Sequence, residues 1–422
     1  MPKPPADQSA QSTKKRASKA SKASQTAKKS SSKAPRSRPA PETGSTGDSL
    51  TLTELLSSST ARLPKRYDED IERYLAQLFN DYVEGVARLS MKGTGARAVR
   101  NEIGTIQGLS QGILSTLDQY LSGHTFDAFQ KFSDTIGQVR HRLQNLVLPL
   151  VDLLGVNQSK RGFEYHGDLY RLRTGPLTQL TKRDIFHIPF EKRQLVASQR
   201  YSIPGLPSLY LASSLWIAWE ELGRPDLASI HASRFEGKGG LRVLDFGWSP
   251  SLAGGFSVFG DSDGAEAFGE FAQGQAIIWP LIAACFLVRR HPGTPFVPEY
   301  IIPQFLLQWV QREKDLDGIR YFSTKLAAMD GAKNRAFNFV FPVRHKAPRG
   351  ICGGLQDSFA LTPPVSWPML QSWQPKIMGA QLPAPGTLDL AEGFPVAYSE
   401  TEFFALEQKL KGGLSATKII GS

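Results

Sequence analysis

Apolar residues at Ile71, Tyr74, Leu75, Leu78, Phe79, Tyr82 and Val83 recur at steps of three and four, the spacing of one helix face. The same period runs through Ile103, Ile106, Leu109, Ile113 and Leu117, and again through Phe129, Phe132, Ile136, Val139 and Leu143. The stretch "MKGTGARA" interrupts the first two. Three amphipathic helices over 49–155 predict a helical module, a bundle or hairpin stacked on the C-terminal part of the chain. No catalytic constellation stands out in it, so it reads as structural or partner-binding.

Beyond residue 155 the pattern changes. "FEYHGDLYRLR", "DIFHIPF" and "SLYLA" are short runs of strand-forming residues bounded by Pro and Gly. "SSLWIAWEELG" predicts a helix, with Ser213 or Ser214 as its cap and Gly223 and Pro225 to end it. "SIHASRFE" and "LRVLDFG" predict two further strands. A Gly-rich loop from Gly254 to Gly269 leads to an apolar helix over 271–289. "EYIIPQFLLQWVQRE" predicts a helix, "DGIRYFST" a turn and strand, and "FNFVFPV" a strand. Short strands mixed with short helices predict an α+β domain over 160–375. The Pro- and Gly-rich remainder, 376–422, forms a C-terminal extension.

Charge changes the picture at the N-terminus. The chain of 422 residues has 50 Lys and Arg against 39 Asp and Glu, and eleven of those bases with one acid lie in residues 1–40. The rest carries 39 bases against 38 acids and is nearly neutral. Residues 1–48, made of Lys, Ser, Ala and Pro, lack the apolar surface to offset their ordering entropy, so a disordered basic tail is expected. If nucleic acid is a partner at all, this tail is the one place expected to meet it; the competing reading is a solvated leader with no specific partner. The longest uncharged apolar run, Ala276–Val288, has 13 residues and includes Pro280. It is too short for a membrane span and predicts a buried core helix, with no integral membrane segment. No apolar leader opens the chain, which favours a cytoplasmic protein, with export as an effector the alternative.

Several chemistries lack their residues. Cys285 and Cys352 sit in no CxxC or Cys/His pattern, and His166, His187 and His231 have no metal-ligand spacing, so no metal is expected and the histidines read as solvated or hydrogen-bonded. GxGxxG and GxxxxGK[ST] are absent. What remains is Arg, Tyr, Glu and Ser. Arg171 lies between aliphatic neighbours on a predicted strand, where a planar guanidinium either makes a salt bridge or awaits an anion such as a diphosphate. Tyr210 opens a strand-to-helix passage and can stack on a flat ring. Glu221 falls near a helix C-terminus, which the helix dipole disfavours for a carboxylate.

"LYRLR", "RYSIPGLPSLYLASSLWIAWEEL" and "DGIRYFST" together resemble the three signatures of the RES domain, a family named for an Arg, a Glu and a Ser. The resemblance covers about 160–330, and the middle motif is its specific part. It implies an ADP-ribosyltransferase-like split-sheet fold with NAD⁺ as substrate, held in a cleft between two small sheets. Members of that family consume NAD⁺ by phosphorolysis or hydrolysis, or transfer ADP-ribose to a protein. Many are toxins held inactive by an antitoxin. Carried over, Arg171 grips the pyrophosphate, Arg200 matches the second Arg and Tyr210 lines the nicotinamide side. Glu221 and Ser323 match the named Glu and Ser, with Glu220 one residue off as the other candidate. Tyr201 stands for the family's Trp, among the NAD⁺ contacts, and Ser202 for its Asn. The expectation is an NAD⁺-degrading toxin or effector with an antitoxin or immunity partner. The competing reading is a catalytically inactive binding or assembly protein on the same fold.

Overall fold

The computed structural model describes residues 49–153, 168–176, 180–247, 262–326, 336–373, 387–391 and 394–419. The expected basic tail, His166 and the Gly254–Asp261 part of the expected Gly-rich loop lie outside them.

The first half of the chain is helical where the apolar period demands it. Helices cover Leu52–Ser57, Ile71–Ala87, Thr94–Asn101, Ile103–Leu121 and Thr125–Gln138. Asp70 caps the second by accepting the Glu72 and Arg73 amides. The "MKGTGARA" stretch is not a plain break. From Thr94 it is helical, with Ala96 and Val99 buried.

Eleven strands follow in the described chain: β1 (Val147–Pro149), β2 (Leu169–Thr174), β3 (Ser208–Ala212), β4 (Ile230–Gly237), β5 (Arg242–Asp245), β6 (Gly318–Phe322), β7 (Phe337–Pro342), β8 (Phe359–Leu361), β9 (Val365–Ser366), β10 (Thr387–Ala391) and β11 (Phe394–Ala397). The first nine form one mixed sheet in the order β1-β5-β6-β7-β3-β2-β4-β8, with β9 beside β4. Only β5 and β6 run parallel; every other pair is antiparallel. The α+β class holds. The expected split into two sheets takes another form: the sheet is continuous, but β2 and β3 meet at one residue pair, Tyr170 with Ala212. On either side the ladders are long, six pairs between β2 and β4 and five between β3 and β7.

Three expected elements differ. "DIFHIPF" is not a strand. Thr181 and Asp184 cap each other around the helical turn Lys182–Ile185, and Pro189 then leads into the 3₁₀ turn Phe190–Leu195. The expected loop to Gly269 is helical from Ser262 on. The apolar helix expected over 271–289 is two helices, Ser262–Ile277 and Trp279–Cys285, separated at Ile278. Pro280 sits in the first turn of the second, where its missing amide costs nothing. Every residue of that second helix is buried, and no helix among the described residues is long and apolar enough to cross a membrane.

The helical half shares its core with the sheet half. Leu75, Tyr82, Ile113 and Phe132 belong to one apolar cluster with Trp279, Phe305, Leu244 and Ile319. The Tyr82 ring stacks on Trp279 at 4.0 Å and its hydroxyl donates to the Ala276 carbonyl. Two smaller cores lie among the described residues, one around Trp216 and Trp367 and the other around Phe235 and Phe339. The C-terminal helix Glu402–Gly413 packs into the first of these through Phe403, Leu406 and Leu410.

Candidate functional site

A cleft of about 370 Å³ opens where β2 and β3 part. Its size suits a small molecule. Arg171, Arg200, Tyr210 and Glu221 all line it, together with Tyr300, Tyr321, Lys325 and Asn338.

Arg171 lies on β2 one residue past the Tyr170–Ala212 pair, where the ladder to β3 has stopped. Its Nη1 donates to the Tyr210 carbonyl at 2.6 Å, so the side chain supplies the hydrogen bond that a neighbouring strand would have made. Its Nε is buried without a partner, and no carboxylate among the described residues pairs with it. Burial first, and then the charge of Arg173, bring its pKa down to about 10. A cation drawn out of water without a counter-ion is costly, and a bound anion would relieve that cost.

Arg200 comes from the two-residue tip of a tight turn. The Gln199 amide donates to the Ser202 carbonyl and the Ser202 amide returns the bond to Gln199. Arg200 Nη1 donates to the Cys285 and Leu287 carbonyls at 3.0 Å each, and Nη2 to Thr324 Oγ1 at 2.8 Å. The guanidinium lies 5.2 Å from the Tyr300 ring centroid. Tyr210, in the middle of β3, shares a 2.8 Å hydrogen bond with the Ser202 hydroxyl. Burial raises its phenol pKa well above the ordinary value.

Tyr201 is the expected contact that the structure does not bring to the cleft. It is 1 % exposed, lies in the helical core and packs at 4.6 Å on Tyr321. The alternation of a turn tip sends Arg200 one way and Tyr201 the other, so Tyr201 anchors the turn from beneath.

Glu221 is the last residue of the helix Leu215–Glu221, which Ser214 caps through the Ile217 amide. Gly223 and Arg224, both at positive φ, end it. Glu221 Oε1 accepts from Ser323 Oγ at 2.6 Å and from Asn338 Nδ2 at 2.7 Å. Oε2 lies 3.6 Å from Lys325 Nζ, which also donates to the Glu221 carbonyl. That ammonium offsets the helix dipole that disfavours a carboxylate there. Glu220 turns away: it is buried, pairs with Arg224 at 2.9 Å and does not line the cleft. Of the two adjacent carboxylates, Glu221 is the one at the site. Ser323 is 4 % exposed and stands behind Glu221, orienting the carboxylate.

Asn338 and Lys325 escaped the sequence reading. Asn338 had a signal, a lone polar residue inside the apolar run "FNFVFPV". Lys325 had none, since a lysine after a strand is ordinary. His187 and His231 are both buried rather than solvated. His187 Nε2 accepts the Cys352 amide, whereas both ring nitrogens of His231 lack a partner. Among the described residues no group of three or more His, Cys, Asp or Glu is placed to hold a metal ion.

The arrangement offers guanidiniums without a carboxylate for an anion, tyrosine faces for flat rings, and a carboxylate with one oxygen fixed by two donors. Over 347 residues the chain is 31 % identical to a protein of Bacillus subtilis (strain 168) named "Putative toxin YopC", an alignment that covers 80 % of this chain and 75 % of that protein. No family model matches the chain, and no solved structure does.

Proposed function

The chain belongs to the family of the Bacillus subtilis protein YopC, and from that premise we propose that it is a toxin that consumes NAD⁺ in the cleft between β2 and β3. The observation that carries this reading is Arg171, a guanidinium with its Nε buried and no carboxylate partner, which lines the same cleft as Glu221. The RES-like motifs supply the choice of NAD⁺ among anionic ligands.

In the proposed reaction the bond between nicotinamide nitrogen and the ribose carbon breaks, and its electron pair leaves with neutral nicotinamide. Positive charge builds on the ribose carbon. Glu221, held by Ser323 and Asn338, faces that charge without having to reorganise. Arg171 and Arg200 hold the diphosphate and fix the bond in position. An acceptor oxygen or nitrogen then bonds the ribose carbon and loses its proton. Water, phosphate or a protein side chain fills that role. A cell that makes such a chain needs a neutralising antitoxin or immunity protein.

The test is nicotinamide release from NAD⁺ by the purified protein, with and without phosphate and with cell extract as acceptor. The parent should release nicotinamide. Arg171→Ala and Glu221→Gln, each folded, should lose about a hundredfold or more, the scale for removing one electrostatic contact to a transition state. A folded parent that leaves NAD⁺ intact in every mixture would overturn the reading in favour of a binding protein on this fold.

A further inference from the structure

The turn that carries Arg200 is bonded by a residue outside the motifs that surround it. The turn Ser198–Ser202 has Arg200 and Tyr201 at its tip, and its base is closed by the reciprocal bonds between Gln199 and Ser202. Those two bonds leave the base carbonyls room for a second donor. One side-chain amide supplies it. Gln304 Nε2 donates to Ser198 Oγ at 3.0 Å, to the Gln199 carbonyl at 2.9 Å and to the Ser202 carbonyl at 3.2 Å. Gln304 is on the helix Ile301–Arg312, in the segment between β5 and β6, and is 8 % exposed among Ile301, Ile302, Phe305 and Leu306. An apolar residue would fill that position without the cost of burying an amide. The amide's donors go to a single five-residue turn.

The same turn controls two cleft residues. Arg200 leaves its tip, and the Ser202 hydroxyl holds the Tyr210 hydroxyl. We propose that Gln304 is a positioning residue, whose amide sets the Ser198–Ser202 turn so that Arg200 and Tyr210 face the ligand. The inference rests on the reading of the cleft as the NAD⁺ site, and it assigns the segment between β5 and β6 a part in ligand affinity. Gln304 itself does not line the cleft, so its effect must travel through the turn.

Gln304→Met keeps the buried volume and removes the donors. Nicotinamide release is measured for this variant in the parent and in Arg200→Ala. In the parent it should raise KM for NAD⁺ by about tenfold and change kcat by less than about twofold, the pattern for lost ground-state binding. In the Arg200→Ala background the effect on KM should shrink to the part that runs through Tyr210, because Gln304 and Arg200 act through one turn. An equal effect in both backgrounds would mean general loosening of the fold and overturn the inference. Should the Met variant not fold, Gln304→Asn keeps the amide but shortens its reach, and the same comparison applies. A crystal structure of the variant separates this inference from the NAD⁺ reading. The Arg200 guanidinium should leave the Cys285 and Leu287 carbonyls. If it stays on both, the positioning role is refuted whatever the ligand. If it leaves but the parent never consumes NAD⁺, only the NAD⁺ reading falls.

Discussion

A carboxylate at a helix C-terminus is out of place, and Glu221 shows how much such a misfit can carry. Its position against the dipole was visible in the sequence, as was the distance from Tyr210. What the sequence left open was Glu220 against Glu221. Helix geometry decides it, since adjacent residues point about 100° apart and only one of them can meet Ser323 and Asn338. Tyr201 failed for a similar reason: motif matching aligned it with a ligand contact, but the turn sends it into the core. His187 was legible only as a histidine. Folding buries it, with Nδ1 donating to the Ile188 carbonyl and Nε2 accepting the Cys352 amide, which fixes the neutral form. Burial chiefly, with the nearby Arg171 charge, brings its pKa to about 4 from an ordinary 6.5. Between those values the unfolded chain binds a proton that the folded chain refuses. The stability is therefore full above pH 6.5 and falls as pH drops toward 4. Urea unfolding at pH 7 and pH 5 should differ by about 2 kcal/mol through this residue. His187→Gln should shrink that difference by about the same amount. An unchanged difference in the variant would show that His187 does not govern it.

Elements were legible where periodicity was strong and illegible where capping or breaks decided. The helices Ile71–Ala87, Ile103–Leu121 and Thr125–Gln138 follow the apolar steps, and β3, β4, β5, β6 and β7 fall on the expected runs. The turn at Lys182–Ile185 was hidden by strand-forming neighbours, although the Thr181/Asp184 pair was a readable cap. The parting of β2 from β3 cannot be read from either strand, because it depends on how each pairs with its other neighbour, β4 and β7. How closely two helices approach is equally a pair property. Gly112 on Ile103–Leu121 faces Thr135 on Thr125–Gln138, and a Cβ at 112 would lie 2.9 Å from Thr135 Cβ and meet its Oγ1 and Cγ2. In an isolated helix Gly→Ala would gain about 1 kcal/mol. Here the clash should outweigh it, and Gly112→Ala should lose about 1–3 kcal/mol in urea unfolding. Adding Thr135→Ala removes the obstructing atoms and should recover most of that loss. A more stable single variant would mean that the helices separate at little cost.

At the scale of the whole molecule, the helices over 49–144 and the sheet share one core, and the connection reaches the site. The segment at Lys65 pairs with Leu287: the Lys65 amide donates to the Phe286 carbonyl and the Val288 amide to the Lys65 carbonyl. Leu287 in turn holds Arg200. Two steps therefore separate the first helical segment from a cleft guanidinium. The relationship to YopC fits this extent, because an alignment of 347 residues is longer than everything from residue 160 to the C-terminus and must take in part of the helical half. The RES-like motifs alone would have suggested a catalytic core with an appendage. The shared apolar cluster argues for one cooperative unit, since removing one side exposes Trp279, Phe305 and Ile319 on the other. A chain that begins at residue 49 should keep its near-ultraviolet circular dichroism, a single unfolding transition and whatever nicotinamide release the full chain shows. A chain that begins at residue 145 should lose the near-ultraviolet signal and aggregate. If the shorter chain stays monomeric, unfolds in one sharp transition and still binds its ligand with Arg200 in place, the helical half is a separate domain and the route from Lys65 to the cleft has no mechanical role.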